Sequence, residues 1–195
     1  VQFCEPGQVR ELESILQEVK APLIVGGPGD PDRPMLDVEV LCKAAEIAEG
    51  EGCLLSYATL SQYKSICEAA MKHGHSLVAY TPTDLNLAKQ LNANLLELGL
   101  PMDRIVMDPT SAALGWSLEY TYSMFERMRL LALSGDELLQ APLLCAACNA
   151  WSARESRRSE EIGLRWEVMT ALAHIVAGAD IILALHPDAA SSIRG

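Results

Sequence analysis

Aromatic residues and positive charge are what this sequence has least of. Phe, Trp and Tyr make up 5% of its 195 residues, whereas 50% are hydrophobic. The apolar content is therefore aliphatic, the composition of an α/β domain and not of a disordered chain. Lys and Arg number 15 against 26 Asp and Glu, for a net charge of −11. Binding a phosphate backbone needs clustered cations. The one basic cluster, Arg154 to Arg165, is interrupted by Glu155, Glu160 and Glu161, which argues against a nucleic-acid partner. No apolar run reaches the ~18 residues of a membrane span, and the N-terminus lacks the basic-then-apolar layout of a signal peptide. Most of the six cysteines (Cys4, Cys42, Cys53, Cys67, Cys145 and Cys148) lie inside apolar periodic segments, as free thiols do. A reducing, cytoplasmic compartment is expected. The chain opens on Val1 rather than Met, as a processed or incomplete polypeptide does.

Catalytic signatures are missing as well. There is no Ser-His-Asp order, no His-Glu-x-x-His helix, no P-loop and no Gly-x-Gly-x-x-Gly dinucleotide fingerprint. No Lys stands at a strand end to form a Schiff base. Neither a catalytic group nor a metal site is expected on this chain, and an accessory role fits better than an enzyme's.

What is present is repetition of one unit. Six short apolar runs each end in a small or turn-forming residue: Pro22–Gly27, Cys53–Thr59, Ser76–Pro82, Arg104–Pro109, Pro142–Cys148 and Asp180–Pro187. Their unbroken hydrophobicity suits strands buried on both faces of a parallel sheet. Helical patterns separate them, over Met35–Glu49, Ser61–His73, Thr83–Leu98 (opened by a Thr-Asp cap), Leu114–Ser134 and Glu160–Ala177. In the fourth of these, Leu118, Tyr122, Phe125, Met128 and Ala132 recur at helical spacing as one apolar stripe. Such alternation implies right-handed βαβ units. Six in series favour a TIM-type (β/α)₈ barrel over an open doubly wound sheet, with one domain spanning 1–195 and about six of eight units present. A further strand is expected near Val1–Cys4 and the rest upstream of the first residue.

In such a barrel the site is built at the carboxyl ends of the strands. That rule selects Gly26, Gly27, Gly29, Ala58, Thr59, Thr81, Asp84, Asn86, Asp108, Thr110, Cys148, Asn149 and His186. The set is rich in amides and hydroxyls and holds no Lys or Arg. It suits a polar heterocycle or the amide side chains of a macrocycle better than phosphate. Plainer readings stand beside this one. Asp108 before Pro109 also serves as a strand stop whose carboxylate caps a turn, and His186 before Pro187 is more often structural than catalytic. Cys145-x-x-Cys148 has metal-ligand spacing, but no second pair accompanies it, and strand alternation points the thiols to opposite sides. Trp151 and Trp166 read as packing residues.

Met107 to Gly115 (Met-Asp-Pro-Thr-Ser-Ala-Ala-Leu-Gly) and Leu118 to Leu130 resemble the signature segment of the small (delta) subunit family of corrinoid iron–sulfur proteins. That family serves CO dehydrogenase/acetyl-CoA synthase. The Gly26–Pro31 loop, Asp84–Asn86, Gln90–Asn92, Asn149–Glu155, Trp166-Glu167 and His186-Pro187 match in order, so the resemblance runs from about Pro22 to Pro187. Three places depart from the family pattern. Asp30 stands for the usual Asn, Trp116-Ser117 for the Tyr-Gly of a Gly-Tyr-Gly run, and Leu144–Cys148 for Ser-Ser-Gly-Thr-Thr.

The resemblance implies a barrel that holds a cobamide (corrinoid) against its strand ends. It implies a large corrinoid/iron–sulfur subunit as partner, with a [4Fe–4S] cluster on that partner. A methyl group would pass from a methyl-tetrahydropterin, through its methyltransferase, to acetyl-CoA synthase in the CO dehydrogenase complex. Of the selected residues, Gly26, Gly27, Gly29, Thr59, Thr81, Asp84, Asn86, Asp108, Thr110, Asn149 and His186 are then the cofactor contacts. Two alternatives remain. One is a free-standing pterin-binding barrel or methyltransferase using Asp84, Asn86, Asp108 and Asn149. The other is a strand-deficient barrel whose main property is assembly.

Overall fold

A computed structural model describes residues 1–194. The chain folds into two compact units. The first comprises Val1–Tyr80 and Gln90–Val106, and the second comprises Thr81–Lys89 and the chain from Met107 on.

The first unit alternates strands and helices: α1 (Glu11–Glu18), β1 (Ile24–Gly26), α2 (Pro34–Ile47), β2 (Leu54–Ala58), α3 (Tyr63–His73) and β3 (Ser76–Tyr80). It then takes in most of α4 (Leu85–Glu97) and the start of β4 (Ile105–Asp108). The strands lie in the order β1-β2-β3-β4, and the β1–β2 and β2–β3 pairs are parallel. Sequential parallel neighbours follow from helical crossovers too long for hairpins. Val25, Leu55, Leu77 and Val78 on the strands and Leu41, Ile66 and Leu91 on the helices are all wholly buried. The strand expected near Val1–Cys4 exists as a single parallel bridge, Gln2 to Gly26. Hydrogen bonds from Phe3 N–H to the Gly26 carbonyl and from Gly26 N–H to the Val1 carbonyl flank it. His75, fully buried, joins the helix layer to the sheet: its Nδ1 accepts from Cys53 N–H at 3.1 Å and its Nε2 lies 2.9 Å from the Ala45 carbonyl.

The second unit holds α5 (Leu118–Leu133), β5 (Leu144–Cys145), α6 (Glu160–Val176), β6 (Ile181–Ile182) and α7 (Pro187–Arg194). β5 and β6 pair in parallel, and Met107 bridges to Leu143. Each of the six expected strands is present, but the last two are short for an identifiable reason. After Cys145 the chain coils into a 3₁₀ turn, Ala147–Ser152. Beyond β6 the amides of Leu185 and His186 donate to the Glu167 carboxylate and not to a neighbouring strand.

Helix α5 also starts later than its apolar period predicts. Gly115 and Ser117 have φ of +76° and +62°, which no right-handed helix tolerates. The preceding amides are held by side chains: Ala112 N–H donates to Thr121 Oγ1 and Leu114 N–H to Thr170 Oγ1. At α4 the expected Thr-Asp cap reduces to Asp84, whose Oδ1 accepts from Asn86 and Leu87 N–H, while Thr83 has φ +48°. The buried face of α5 is Thr121, Met124, Phe125, Met128 and Ala132, the predicted stripe rotated slightly toward polar Thr121. That hydroxyl meets His174 Nε2 at 3.0 Å, and His174 Nδ1 meets the Thr170 carbonyl at 2.9 Å. His174 is fully buried, and burial holds its imidazole below the usual histidine range.

Gly163 is required by packing. A Cβ built there would sit 2.2 to 2.7 Å from ring atoms of Trp151. Gly163→Ala gains about 1 kcal/mol of helix propensity but overpacks the site by about 1–3 kcal/mol or more. Net destabilisation is expected in a urea melt, and a variant more stable than the native chain would refute the close fit.

Candidate functional site

A hydrogen-bonded polar cluster stands at the carboxyl ends of β4 and β5, within the second unit. Asp108 ends β4 and turns the chain itself: its Oδ1 accepts from Thr110 N–H at 2.9 Å. Thr110 is thereby held at φ +73°, unusual for a β-branched residue and a mark of a conformation fixed by its surroundings. The Asp108 and Pro109 carbonyls accept from Thr81 and Thr83 N–H, at 3.1 and 3.0 Å, which brings the post-β3 segment to the same place. Burial pushes the Asp108 carboxyl up to about 6, against the pull of the Thr110 amide.

Ser111, next in sequence and 2% exposed, links the two strand ends. Its hydroxyl accepts from Ala146 N–H at 3.1 Å, and its carbonyl accepts from Asn149 Nδ2 at 3.0 Å. The same hydroxyl lies against the Cys145 thiol, which burial pushes up to about 12. Burial raises the Cys148 thiol as well. Both are therefore neutral thiols at physiological pH. Among the described residues no group of three or more His, Cys, Asp and Glu is placed to hold a metal.

His186 is engaged structurally. Its Nδ1 accepts from Asp188 N–H, its Nε2 faces Glu160 Oε1 at 3.1 Å, and its ring stacks on Trp151 with centroids 6.0 Å apart. Glu167, wholly buried, accepts from both Leu185 and His186 N–H. The loop between β4 and α5 is held from below by Trp166 Nε1, donating to the Leu114 carbonyl at 3.1 Å. It presents Trp116 to solvent, 67% exposed, and Tyr120 in the first turn of α5 is 69% exposed.

Of the residues selected from sequence, Thr81, Asp108, Thr110 and Asn149 are tied into one hydrogen-bonded assembly through Ser111, Pro109 and Thr83. Asp84 and Asn86 belong to the cap of α4, and His186 to the β6 end. Gly26, Gly27, Gly29 and Thr59 lie in the first unit. There Gly27 gives Asp37 room, since a Cβ at 27 would fall 2.2 Å from Asp37 Oδ1, and that oxygen accepts from Gly29 N–H. Thr59 Oγ1 meets Ser61 Oγ at 2.9 Å. The Tyr57 and Tyr80 rings, 4.5 Å apart at the ends of β2 and β3, escaped the sequence reading, as did Ser111 and Glu167. Ser111 lies within the Met107–Gly115 motif, which is the signal that could have exposed it. A Glu in mid-helix carries no such signal, because its usual place is the solvent face.

The parallel βα alternation and polar strand ends define an α/β protein of TIM-barrel type. Dihydropteroate synthase of Yersinia pestis, solved with a pterine-sulfa conjugate, has the same fold. It superposes with a TM-score of 0.66 over 95% of this chain and 70% of the synthase, at 18% identity. The model of the CO dehydrogenase/acetyl-CoA synthase delta subunit matches residues 6–192, and the chain belongs to that family. It is 42% identical over 200 residues to the acetyl-CoA decarbonylase/synthase complex subunit delta 1 of Methanosarcina thermophila, covering 95% of this chain and 45% of that protein. To the delta subunit of Methanopyrus kandleri it is 44% identical over 184 residues, covering 90% and 45%. The chain thus spans slightly less than half the length of these curated relatives. No helix among the described residues is long and apolar enough to cross a membrane.

Proposed function

We propose that this chain holds a cobamide against the strand ends of its second unit while a methyl group passes between a methyl-tetrahydropterin and acetyl-CoA synthase. In this reading it is paired with a large subunit that carries the corrinoid domain and a [4Fe–4S] cluster. The observation that carries the proposal is the character of the cluster around Asp108. Hydroxyls, amides and a carboxyl that burial pushes up to about 6 converge there without a Lys or Arg. Such a set fits the amide side chains of a corrinoid ring, which offer both donors and acceptors, and Trp116 adds an exposed apolar plane. The bound cobamide would supply methyl-transfer chemistry at cobalt; the chain's own residues orient it and exclude water. Gly26, Gly27, Gly29, Thr59, Asp84, Asn86 and His186 are retained as further candidate contacts.

Co-expression with the large subunit tests the proposal. The two chains are expected to co-purify with the absorption spectrum of a bound cobamide. Asn149→Ala should weaken cobamide retention about tenfold, the equivalent of one hydrogen bond of about 1.4 kcal/mol. Failure to co-purify, or a complex without the spectrum, would remove the reading. A free-standing pterin-binding barrel is the second reading, motivated by the buried Asp108 carboxyl. Calorimetry of the isolated chain with methyl-tetrahydrofolate separates the two: tight binding without a partner, weakened by Asp108→Ala, belongs to the second.

A further inference from the structure

The segment that leaves β5 departs from a regular ladder, and the departure bears on its two thiols. Leu183 bonds to it twice: its N–H donates to the Cys145 carbonyl at 2.8 Å, and its carbonyl accepts from Cys148 N–H at 3.0 Å. In a regular parallel pair, the two groups of one residue bond to residues two apart on the neighbouring strand. Those would be Cys145 and Ala147. One extra residue is therefore inserted, a bulge at the entry to the 3₁₀ turn. Simple alternation sets residues three apart on opposite faces. Here Cys148 stands where Ala147 would, so it shares a face with Cys145. The spacing fits as well. Two residues bonded to one residue of the next strand stand two strand steps apart, with Cα atoms separated by ~6.6 Å. A disulfide spans Cα atoms about 4.4–6.8 Å apart. Both thiols also lie near enough to the Asp108 carboxyl to feel its charge, and Cys145 to feel that of Cys148.

The two thiols differ in access. Cys145 is wholly buried, whereas Cys148 is half-buried. Exchange with a disulfide in solution can start only at Cys148, and Cys145 has to reach nothing but its neighbour. We propose that Cys145 and Cys148 form a reversible disulfide by exchange with a low-molecular-weight disulfide. The Cys148 thiolate attacks one sulfur of the reagent, which gives a mixed disulfide and releases one thiolate. The Cys145 thiolate then attacks the Cys148 sulfur and releases the second. The two protons lost by the cysteines pass to the two released thiolates, and the reagent is reduced as the pair is oxidised. Burial raises both thiols, so the exchange is slow at neutral pH and quickens as the pH rises. The bond closes over Ala146 and Ala147, directly beside Asn149. Ala146 N–H and Asn149 Nδ2 both donate to Ser111, so the pair sets a redox-dependent element within the polar cluster. The proposal rests on the thiols alone and not on the cobamide reading.

Oxidised glutathione, added to the folded chain at about pH 8.5 to favour thiolates, tests this. The reaction is quenched with acid, free thiols are alkylated in urea, and a tryptic digest is read by mass spectrometry. Trypsin releases residues 130–154 as one peptide, with Cys145 and Cys148 as its only cysteines. That peptide is expected without alkyl groups, lighter than its dithiol form by two hydrogens, and dithiothreitol should restore both thiols. Exposed Cys4, on a separate peptide, shows that the reagent is active by carrying glutathione. In Cys145→Ala the second step is lost, and Cys148 should keep a glutathione that the native chain discards. In Cys148→Ala the buried Cys145 should stay a free thiol. The native peptide decides the matter even if either variant fails to fold. A peptide that stays reduced while Cys4 is modified would overturn the proposal. So would a glutathione that persists on native Cys148, or a bond from either cysteine to Cys53 or Cys67.

Discussion

Glu167→Ala should destabilise the chain by about 2–3 kcal/mol, because it removes the acceptor of two part-buried amides, at about 1–1.5 kcal/mol apiece. The carboxylate is wholly buried in α6 and takes the Leu185 and His186 amides at 2.5 and 3.0 Å. Those amides follow β6, where no further strand among the described residues pairs with them. Glu167 thus does for the end of β6 what a ladder partner does elsewhere in the sheet, and it fixes the backbone from which His186 stacks on Trp151. Glu167→Gln separates charge and volume from hydrogen bonding. It keeps one acceptor oxygen and turns an NH₂ toward the other amide, so a loss of about half that of Ala is expected. Urea melts measure both, and amide exchange locates them, with Leu185 and His186 becoming the least protected. A Gln variant as stable as the native chain would show that one accepted bond suffices.

The same carboxylate marks where sequence reading stops. Periodicity is a statement about faces, and the six apolar runs became six parallel strands because continuous hydrophobicity admits little else. It could not show that β5 and β6 end after two residues. Their termination depends on a 3₁₀ turn and on Glu167, which is 18 residues away from the amide it holds. The cluster at β4 was half legible. Asp108, Thr110 and Asn149 were selected because strand ends in this fold carry function, but Ser111, which joins them, has the look of any small loop residue. The late start of α5 was hidden for a related reason. Leu114 and the residues after it fit a helical period, while positive φ at Gly115 and Ser117 and the side-chain bonds from Thr121 and Thr170 arise from tertiary structure. The two readings of Asp108, turn cap and site group, turn out to be compatible. Its Oδ1 caps the turn at Thr110, and its carboxyl stands among the other selected groups.

Asp108→Asn should therefore do two opposite things. Folding raises this carboxyl from the ordinary 3.8 to about 6 through burial, so the folded chain binds its proton more tightly than the unfolded one. Stability is then greatest below about pH 4 as far as this group is concerned. It is lost as the pH rises through the folded value near 6 and stays lost above it. At about 1.4 kcal/mol per pH unit the deficit at pH 7.5 is on the order of 2–3 kcal/mol. Asn keeps the oxygen that accepts from Thr110 N–H and carries no charge, so the variant should be more stable than the native chain at pH 7.5 by that amount. At pH 4 the two should converge. His174 works in the other direction: its lowered value costs stability as the pH falls below 6.5, when the unfolded imidazole takes up a proton that the folded one resists. That slope is common to both chains and cancels in the difference, which makes paired urea melts across pH 4 to 7.5 the right measurement. A difference independent of pH would mean that Asp108 titrates alike in both states. If the pH-dependent gain is found, cobamide retention in the complex should fall in the same variant. The residue then keeps a destabilising buried carboxyl for what it binds, the usual relation between stability and a functional site.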